Sequence, residues 1–163
     1  AAHKGDQAIA TDSDDTSINE LAADIEAKAL NVIPLYMDIR FPEAPQGPAY
    51  GFFSPASKRL KSEMVLALAV VHHLAFTWHL NFDQIIENFS MFTTRWLVVE
   101  FVGPQDAVVM RDWNAADRPW YSLQNFLEAL EKHFTVERIT ESDSGGLDYR
   151  GDDRTLILCS KKS

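Results

Sequence analysis

Two acidic residues stand where apolar runs of the sequence end, at positions suited to binding a polar ligand. Asp12 follows the short run QAIAT, and Asp38 closes the run NVIPLYMD. A carboxylate at a strand end beside a nucleotide crevice accepts hydrogen bonds from both ribose hydroxyls, and another can accept from the exocyclic amine of a purine. A plainer interpretation stays open, in which Asp12 caps a helix with Asp14 and Asp15, and Asp38 is a turn residue.

Two adjacent histidines, His72 and His73, follow the apolar run MVLALAVV and can handle a proton. Because histidine titrates near neutral pH, either imidazole can act as a general base toward a hydroxyl or amine. The alternative is a histidine that shapes a pocket wall or satisfies a helix start. His79 lies close by in sequence, but adjacent residues point about 100° apart on a helix, and no nearby acid precedes Asp83. We therefore predict no metal site.

Glu100 interrupts the apolar run WLVVEFV. A carboxylate that is buried in a strand needs a partner, because its desolvation is costly. The sequence offers Arg95 and Arg111 as partners, and a substrate amine is the third alternative.

Hydrophobic periodicity predicts the elements that position these residues. A helix with a capping box of Ser17 and Glu20 follows Asp12, and a second helix has Asn81 or Asp83 as its cap. The proline at position 34 favours a sheet edge for its strand. The last predicted helix is Ser122–His133, with Ser122 as its cap. The predicted strands are Gln7–Thr11, Asn31–Asp38, Met64–Val71, Trp96–Val102, Phe134–Thr140 and Thr155–Ser160.

The alternation of strands and helices predicts the α/β class. We expect a doubly wound, Rossmann-like and mostly parallel sheet with helices on both faces and an antiparallel pair of strands at the C-terminus. Ligands of such sheets bind at the carboxyl ends of the strands. The acids and histidines named above lie at these ends.

Length and composition predict one acidic domain that spans residues 1–163. Hydrophobic residues make up 46% of the chain, and its formal net charge is -9. This charge repels phosphate backbones and anionic membranes, so neither nucleic acid nor a membrane is expected as a partner. Cys159 is the only cysteine, which excludes an internal disulfide and favours the cytoplasm. No apolar stretch has the roughly 20 residues that cross a bilayer.

The order of these segments resembles that of class I S-adenosylmethionine-dependent methyltransferases. The matching runs are IATDSD, the acid that ends PLYMD, then MVLALAVVHHL and RWLVVEFV, and the resemblance extends from about Gln7 to Cys159. Within that class the chain looks similar to bacterial nodulation-type or small-molecule methyltransferases. The resemblance implies a sheet with strand order 3-2-1-4-5-7-6, in which the seventh strand is antiparallel to the rest.

The resemblance also implies S-adenosylmethionine as the cofactor and methyl transfer as the activity. The histidine pair, His72 and His73, then supplies the candidates for a catalytic base. The positions that match the cofactor-binding residues are Asp12 for the ribose, Met37, Asp38 and Ile39 for the adenine, and Ala69 to His72 for the methionine and sulfonium end.

One part of the family pattern is missing, namely the first strand and its glycine-rich turn, commonly D-x-G-x-G-x-G. Gly5 is the only glycine in the sequence before Asp12. In the family this strand lies in the centre of the sheet, and without it both neighbouring strands would keep unpaired backbone groups. We therefore expect a chain truncated at its N-terminus, with Ala1–Gly5 as the tail of the missing helix. The alternative is that the flanking strands pair directly or with a second copy in a homodimer.

Two functions of different kinds are consistent with these residues. The first is methyl transfer to an acceptor that we expect to be a small molecule rather than a macromolecule. The second is a non-catalytic methyltransferase-like module for interaction or regulation. A nicotinamide-dependent dehydrogenase would also use a strand-end acid, but the closing antiparallel strands and the histidine pair fit it less well.

Overall fold

The computed structural model describes residues 7–42, 54–113, 118–141 and 153–162. The chain divides into two compact units, residues 1–60 and 61–163. The expectation of a single domain stays a prediction. The predicted helix tail Ala1–Gly5 and most of the loop between the last two strands lie outside the described residues.

The first unit is built on two parallel strands, β1 (Ala8–Asp12) and β2 (Val32–Tyr36). Their register runs from Ala8 opposite Val32 to Asp12 opposite Tyr36. In the described part of the chain β2 pairs with β1 alone, which agrees with the edge position that its proline predicts. β2 ends at Tyr36, so Asp38 lies just beyond the strand rather than at its last residue.

Helix α1 (Asp15–Lys28) connects the two strands, and its N-cap is Asp14. The Asp14 carboxylate accepts hydrogen bonds from the backbone N–H groups of Thr16 and Ser17. The predicted capping box of Ser17 and Glu20 is therefore wrong. Ser17 lies inside the first turn and donates its hydroxyl to Asp14 at 2.6 Å, because a carboxylate in the cap position satisfies two orphan donors and also interacts with the helix dipole. The short helix α2 (Ala56–Arg59) completes the unit.

The second unit is built on a four-stranded sheet. Strand β3 (Ser62–Ala67) is parallel to β4 (Thr93–Val102), and β6 (Arg154–Lys161) lies antiparallel between β4 and β5 (Phe134–Glu141). The predicted antiparallel pair at the C-terminus is confirmed. β3 ends at Ala67 rather than at the predicted Val71, and the residues after it form a turn and then a helical segment.

The strand neighbours agree with the order that the resemblance implies. We count β1 to β6 as the second to seventh strands of the family. The pair β2-β1 of the first unit then corresponds to 3-2, and the order β3-β4-β6-β5 of the second unit corresponds to 4-5-7-6. Among the described residues no strand pairs with the second edge of β1 or of β3. These are the two strands that flank the first strand in the family.

Three α-helices of the second unit begin at side-chain caps. Asn81 and Gln84 form a capping box at α3 (Phe82–Phe92), and Ser122 caps α5 (Leu123–Leu130) as predicted. Helix α4 (Ala107–Asp112), capped by Asp106, was not predicted. A π-helical turn, His73–Thr77, directly follows His72.

Aromatic rings that pack between β4, α3 and α5 form the centre of this unit. Phe101 of β4 stacks on Phe126 of α5 with ring centroids 5.2 Å apart, and Phe82 of α3 meets Phe126 edge to face at 5.0 Å. All three residues are buried. This packing holds the carboxyl end of β4 rigidly, because interiors of native density leave little room for movement. Within the described residues, no helix is long and apolar enough to cross a membrane.

Candidate functional site

The carboxyl ends of β1 and β2 bring the first group of candidate residues together. Asp12 is the last residue of β1, and its backbone oxygen accepts a hydrogen bond from Met37 N at 2.9 Å. The exposed Asp12 carboxylate accepts the N–H of Asp14 at 3.0 Å. Asp12 therefore supports the residue that caps α1 and does not cap the helix itself.

Asp38 is half-buried and is held by Arg40. The Arg40 backbone N and Nε donate to Asp38 Oδ1 at 3.0 and 2.8 Å, and Nη2 pairs with Oδ2. These bonds hold the pKa of the Asp38 carboxyl below its usual range, although partial burial opposes them. The Arg40 guanidinium also lies 5.2 Å from the centroid of the Phe41 ring. Asp38 is thus a charged carboxylate in one fixed orientation beside the half-buried Met37 and Ile39.

In the second unit, the turn after β3 is made at Ala69. Its φ of 52° lies in the left-handed region that residues with a side chain rarely adopt. The Ala69 N–H donates to Glu100 Oε2 of β4 at 3.0 Å. Non-glycine residues in strained conformations cluster at functional sites, and the resemblance implies that Ala69 lies near the sulfonium end of the cofactor.

Neither of the two arginines predicted as partners of Glu100 pairs with it in the described part of the chain, and the third alternative, a substrate amine, stays a prediction. Arg95 pairs with Glu63 at 3.0 Å, and Arg111 pairs with its neighbour Asp112 at 2.6 Å. Besides the Ala69 N–H, Glu100 faces Arg154 of β6, whose Nη1 lies 3.8 Å from Oε2. The prediction failed because Arg154 is far away in sequence and reaches Glu100 only through the antiparallel pairing of β4 with β6.

Two buried acids and one arginine form a polar network at the carboxyl end of β4. Arg154 Nε donates to Asp106 Oδ2 at 2.9 Å, and Asp106 Oδ1 accepts the N–H of Val108 at 2.9 Å at the start of α4. Sequence reasoning missed Asp106, although an aspartate before the run AVVM is an N-cap signal. No local signal marks Arg154.

Gly103 directly follows β4 and lets another segment approach closely. Its N–H donates to the backbone oxygen of Asp153 at 2.6 Å, and Asp153 Oδ2 accepts the N–H of Gln105 at 3.0 Å. A Cβ at position 103 would collide with the Asp153 carboxylate. Glycine at this position therefore permits Asp153, which directly precedes β6, to approach the end of β4 closely.

The histidine pair lies against one tryptophan. The rings of His72 and His73 are 4.2 Å apart, and Trp113 meets them edge to face at 5.5 and 5.2 Å. Phe76 stacks on the indole of Trp113 with ring centroids 5.9 Å apart. We call these four residues the aromatic cluster. It brings the residues after β3 against the end of α4.

The two histidines differ in their exposure. His72 is 3% exposed, and its Nδ1 is buried without a hydrogen-bond partner among the described residues, whereas His73 is exposed. Burial, with the neighbouring His73 as a smaller cause, lowers the pKa of His72 to about 4. His72 is therefore an uncharged imidazole at neutral pH. This state suits it to hydrogen bonding better than to binding a proton.

His79 does not join this pair. Its Nδ1 lies 2.9 Å from Nη2 of Arg118, and Arg118 Nη1 donates to the Ala75 carbonyl at 2.6 Å. Across the described ranges, no group of three or more histidine, cysteine or acidic residues could hold a metal ion.

A curated protein and several solved structures resemble this chain, although no family model matches it. Nodulation protein NoeA from Rhizobium meliloti (strain 1021) is 32% identical over 81 residues, which are 50% of this chain and 17% of that protein. The matched half of the chain thus covers less than a fifth of the length of this relative.

Solved structures, methyltransferases among them, share the fold. N-methyltransferase NodS from Bradyrhizobium japonicum WM9 has a TM-score of 0.61 and 14% identity, covering 96% of this chain and 74% of its own. Magnesium protoporphyrin IX methyltransferase ChlM from Synechocystis PCC 6803, with bound SAH, has a TM-score of 0.64 and 11% identity, and the match covers 98% of this chain and 66% of ChlM. TehB from Haemophilus influenzae has a TM-score of 0.58 and 17% identity, and the match covers 97% of this chain and 51% of TehB. The chain therefore has the class I methyltransferase fold, and the resemblance seen in its sequence is confirmed at that level.

Proposed function

We propose that the protein containing this chain transfers a methyl group from S-adenosylmethionine to a small-molecule acceptor in the cytoplasm. The observation that carries the proposal is the arrangement at the ends of β1 and β2. An exposed acid, Asp12, ends one strand, and its backbone is hydrogen-bonded to Met37 beyond the next strand. Parallel α/β sheets bind nucleotides at such strand ends.

The residues in the first unit fit a nucleoside. Asp12 is exposed and has lone pairs beyond the one that Asp14 N–H uses, so it can accept hydrogen bonds from two ribose hydroxyls. Arg40 makes three hydrogen bonds to Asp38. Since an ionised carboxylate offers about four lone-pair sites, Asp38 can still accept one from an adenine amine. Met37 and Ile39 would then line the base.

The second unit, taken by itself, carries the histidine pair, which we assign to the acceptor. When bound, the cofactor supplies an electrophilic methyl group, and the protein contributes mainly positioning and proton handling. The uncharged His72 can accept a hydrogen bond from an acceptor hydroxyl or amine. The exposed His73 can pass the released proton to solvent. We assign the turn at Ala69 to the cofactor's methionine end.

The test is a calorimetric titration of the full-length protein with S-adenosylhomocysteine. We expect binding in the wild type and a loss of on the order of tenfold or more in Asp12→Ala, because hydrogen bonds to a charged group contribute about 1.5 to 3 kcal/mol. Asp24→Asn is the matched control. It removes an equal charge from the same unit, where Asp24 forms an exposed pair with Lys28, and should leave the affinity unchanged.

Failure of the folded, full-length wild type to bind would contradict the proposed activity and favour the interaction module instead. Equal affinities of wild type and Asp12→Ala would contradict the assignment of Asp12 while leaving the cofactor in place. The acceptor can then be sought by following the transfer of a labelled methyl group to candidate hydroxyl-bearing and amine-bearing compounds.

A further inference from the structure

Glu100 is a buried acid within the apolar run WLVVEFV of β4. It is 8% exposed, between Val99 and Phe101, which are 0% and 1% exposed. Desolvation of a carboxylate is costly, and apolar residues of similar volume often replace buried ion pairs without loss of stability. The acid at this position therefore calls for an explanation other than the stability of the core.

On one side, Glu100 holds the turn that follows β3. The parallel register places Ala67 opposite Val99, so Glu100 lies beside the chain as it leaves the strand. Its Oε2 accepts the Ala69 N–H at 3.0 Å, and Ala69 has the left-handed φ of 52°. A strained backbone conformation persists only where its surroundings hold it. This hydrogen bond supplies such a restraint.

On the other side, Glu100 is linked to the start of α4. The antiparallel register pairs Val102 with Arg154, so Arg154 lies diagonally from Glu100 on the same face of the sheet. Arg154 contacts Glu100 Oε2 at 3.8 Å and donates to Asp106, the N-cap of α4, at 2.9 Å. The arginine is 19% exposed and Asp106 2%, so solvent screens these charges weakly.

The two ends of this network meet at the aromatic cluster. His72 and His73 follow the Ala69 turn, and Trp113 follows α4, with its ring against both imidazoles. Glu100 thus restrains the backbone that leads into the histidines, and Asp106 restrains the helix that carries the tryptophan. A substitution of Glu100 should therefore affect both the histidines and Trp113 of the aromatic cluster.

We propose that Glu100 is a positioning residue for the methyl-transfer site, which sets the turn at Ala69 and, through Arg154 and Asp106, aligns that turn with α4. This inference rests on the proposed function. Glu100 acts through the Ala69 backbone and not by contact with the reacting atoms. Its role is to keep the Ala69 turn in the backbone conformation to which the cofactor and the acceptor bind.

The experiment compares two substitutions at Glu100 in the full-length protein. Glu100→Gln keeps a side-chain oxygen that can accept the Ala69 N–H, whereas Glu100→Met has similar length and no strong acceptor. Hydrogen exchange resolved to single amides measures the protection of the Ala69 N–H from exchange. Calorimetry measures the affinity for S-adenosylhomocysteine. The matched control is Glu63→Gln, which changes an acid on β3 that pairs at the surface with Arg95.

We expect Glu100→Gln and Glu63→Gln to keep both the Ala69 protection and the affinity within about threefold of the wild type. Glu100→Met should lose at least tenfold in both while its melting temperature stays close to that of the wild type. Adding Ala69→Gly to Glu100→Met should restore part of the affinity, because glycine adopts the left-handed conformation without strain. A residue that served only core packing would not be rescued in this way.

Unchanged Ala69 protection in Glu100→Met would overturn the proposal, and so would lost protection with unchanged affinity. If Glu100→Met does not fold, Glu100→Thr removes the carboxylate with a residue that favours strands, and the same criteria apply to it. If the wild type does not bind S-adenosylhomocysteine, the proposed function fails. The Ala69 amide then still decides the matter: lost protection in Glu100→Met supports the restraint, and retained protection overturns it.

Discussion

The hydroxyl of Tyr121 donates a 2.8 Å hydrogen bond to the backbone oxygen of Val102, the last residue of β4. Tyr121 is 2% exposed, and burial raises the pKa of its hydroxyl well above the ordinary value. Its ring also stacks on Phe101 at 5.1 Å. One side chain thus connects the segment before α5 to the end of the strand that carries Glu100.

Removal of this hydroxyl should destabilise the protein measurably. We expect Tyr121→Phe to lower the free energy of unfolding by about 1 kcal/mol, because one buried hydrogen bond is lost while the ring packing is kept. Urea denaturation measures the change. Tyr36→Phe is the control, since Tyr36 is 56% exposed, and it should shift the midpoint very little. Equal effects of the two variants would contradict this account.

Truncation of the central ring of the second unit should cost more. Phe126 is 0% exposed and contacts both Phe82 and Phe101. Phe126→Ala should lower the stability by about 3 to 5 kcal/mol through lost burial and the cavity that remains. Met110→Ala on α4, where the side chain is 61% exposed, should stay within about 0.5 kcal/mol of the wild type. Thermal or urea unfolding distinguishes the two, and a small loss in Phe126→Ala would show that the core collapses around the gap.

The capping box of α3 predicts a smaller and local effect. Asn81 accepts the Gln84 N–H at 2.9 Å, and the Gln84 side chain accepts the Asn81 N–H at 3.0 Å. Asn81→Ala should cost about 1 kcal/mol, because the helix start loses a side-chain acceptor. Glu87→Ala, at an exposed position of the same helix, is expected to leave stability nearly unchanged. If Asn81→Ala behaves like Glu87→Ala in urea, solvent satisfies the helix start equally well.

His72 should make the stability depend on pH. Its pKa in the folded protein is about 4, whereas an unfolded histidine titrates near 6.5. The unfolded chain therefore binds a proton first as the pH falls, so the contribution of His72 is fully present above about pH 6.5 and is lost as the pH falls toward 4. The loss should be about 3 kcal/mol, because each unit of difference between the two pKa values corresponds to about 1.4 kcal/mol.

The measurement is urea unfolding of wild type and His72→Phe at several pH values between 7 and 4. The variant keeps an aromatic ring against His73 and Trp113 but cannot titrate, so the stability difference between the two proteins should shift in favour of the variant as the pH falls. A difference that is constant over this range would show that His72 is protonated equally in both states.

Several features of the fold follow from local sequence because the interactions that produce them are local. The apolar runs of β3 and β4, the Ser122 cap of α5 and the polar residues between the last two strands all act within a few positions of the chain. The helix cap at Asp14 shows the limit of such reasoning. Asp14 and Ser17 both satisfy the pattern of a cap, and only the path of the chain from β1 decides between them.

The candidate residues show the same division. Asp12, Asp38, His72 and His73 were found because acids and histidines at strand ends are recognisable in a sequence. Their surroundings were not, since the salt bridge of Asp38 with Arg40 depends on a tight turn and the lowered pKa of His72 on its burial.

By itself, the sequence determined the strands β1 to β6 and the helices α1, α3 and α5, that the class is α/β, and which polar residues stand at the strand ends. Only the tertiary structure decided that Glu100 bonds to Ala69 and Arg154 rather than to Arg95 or Arg111. The reason is physical. Residues distant along the chain become neighbours through strand register and side-chain packing, and these depend on the whole sheet rather than on any local pattern.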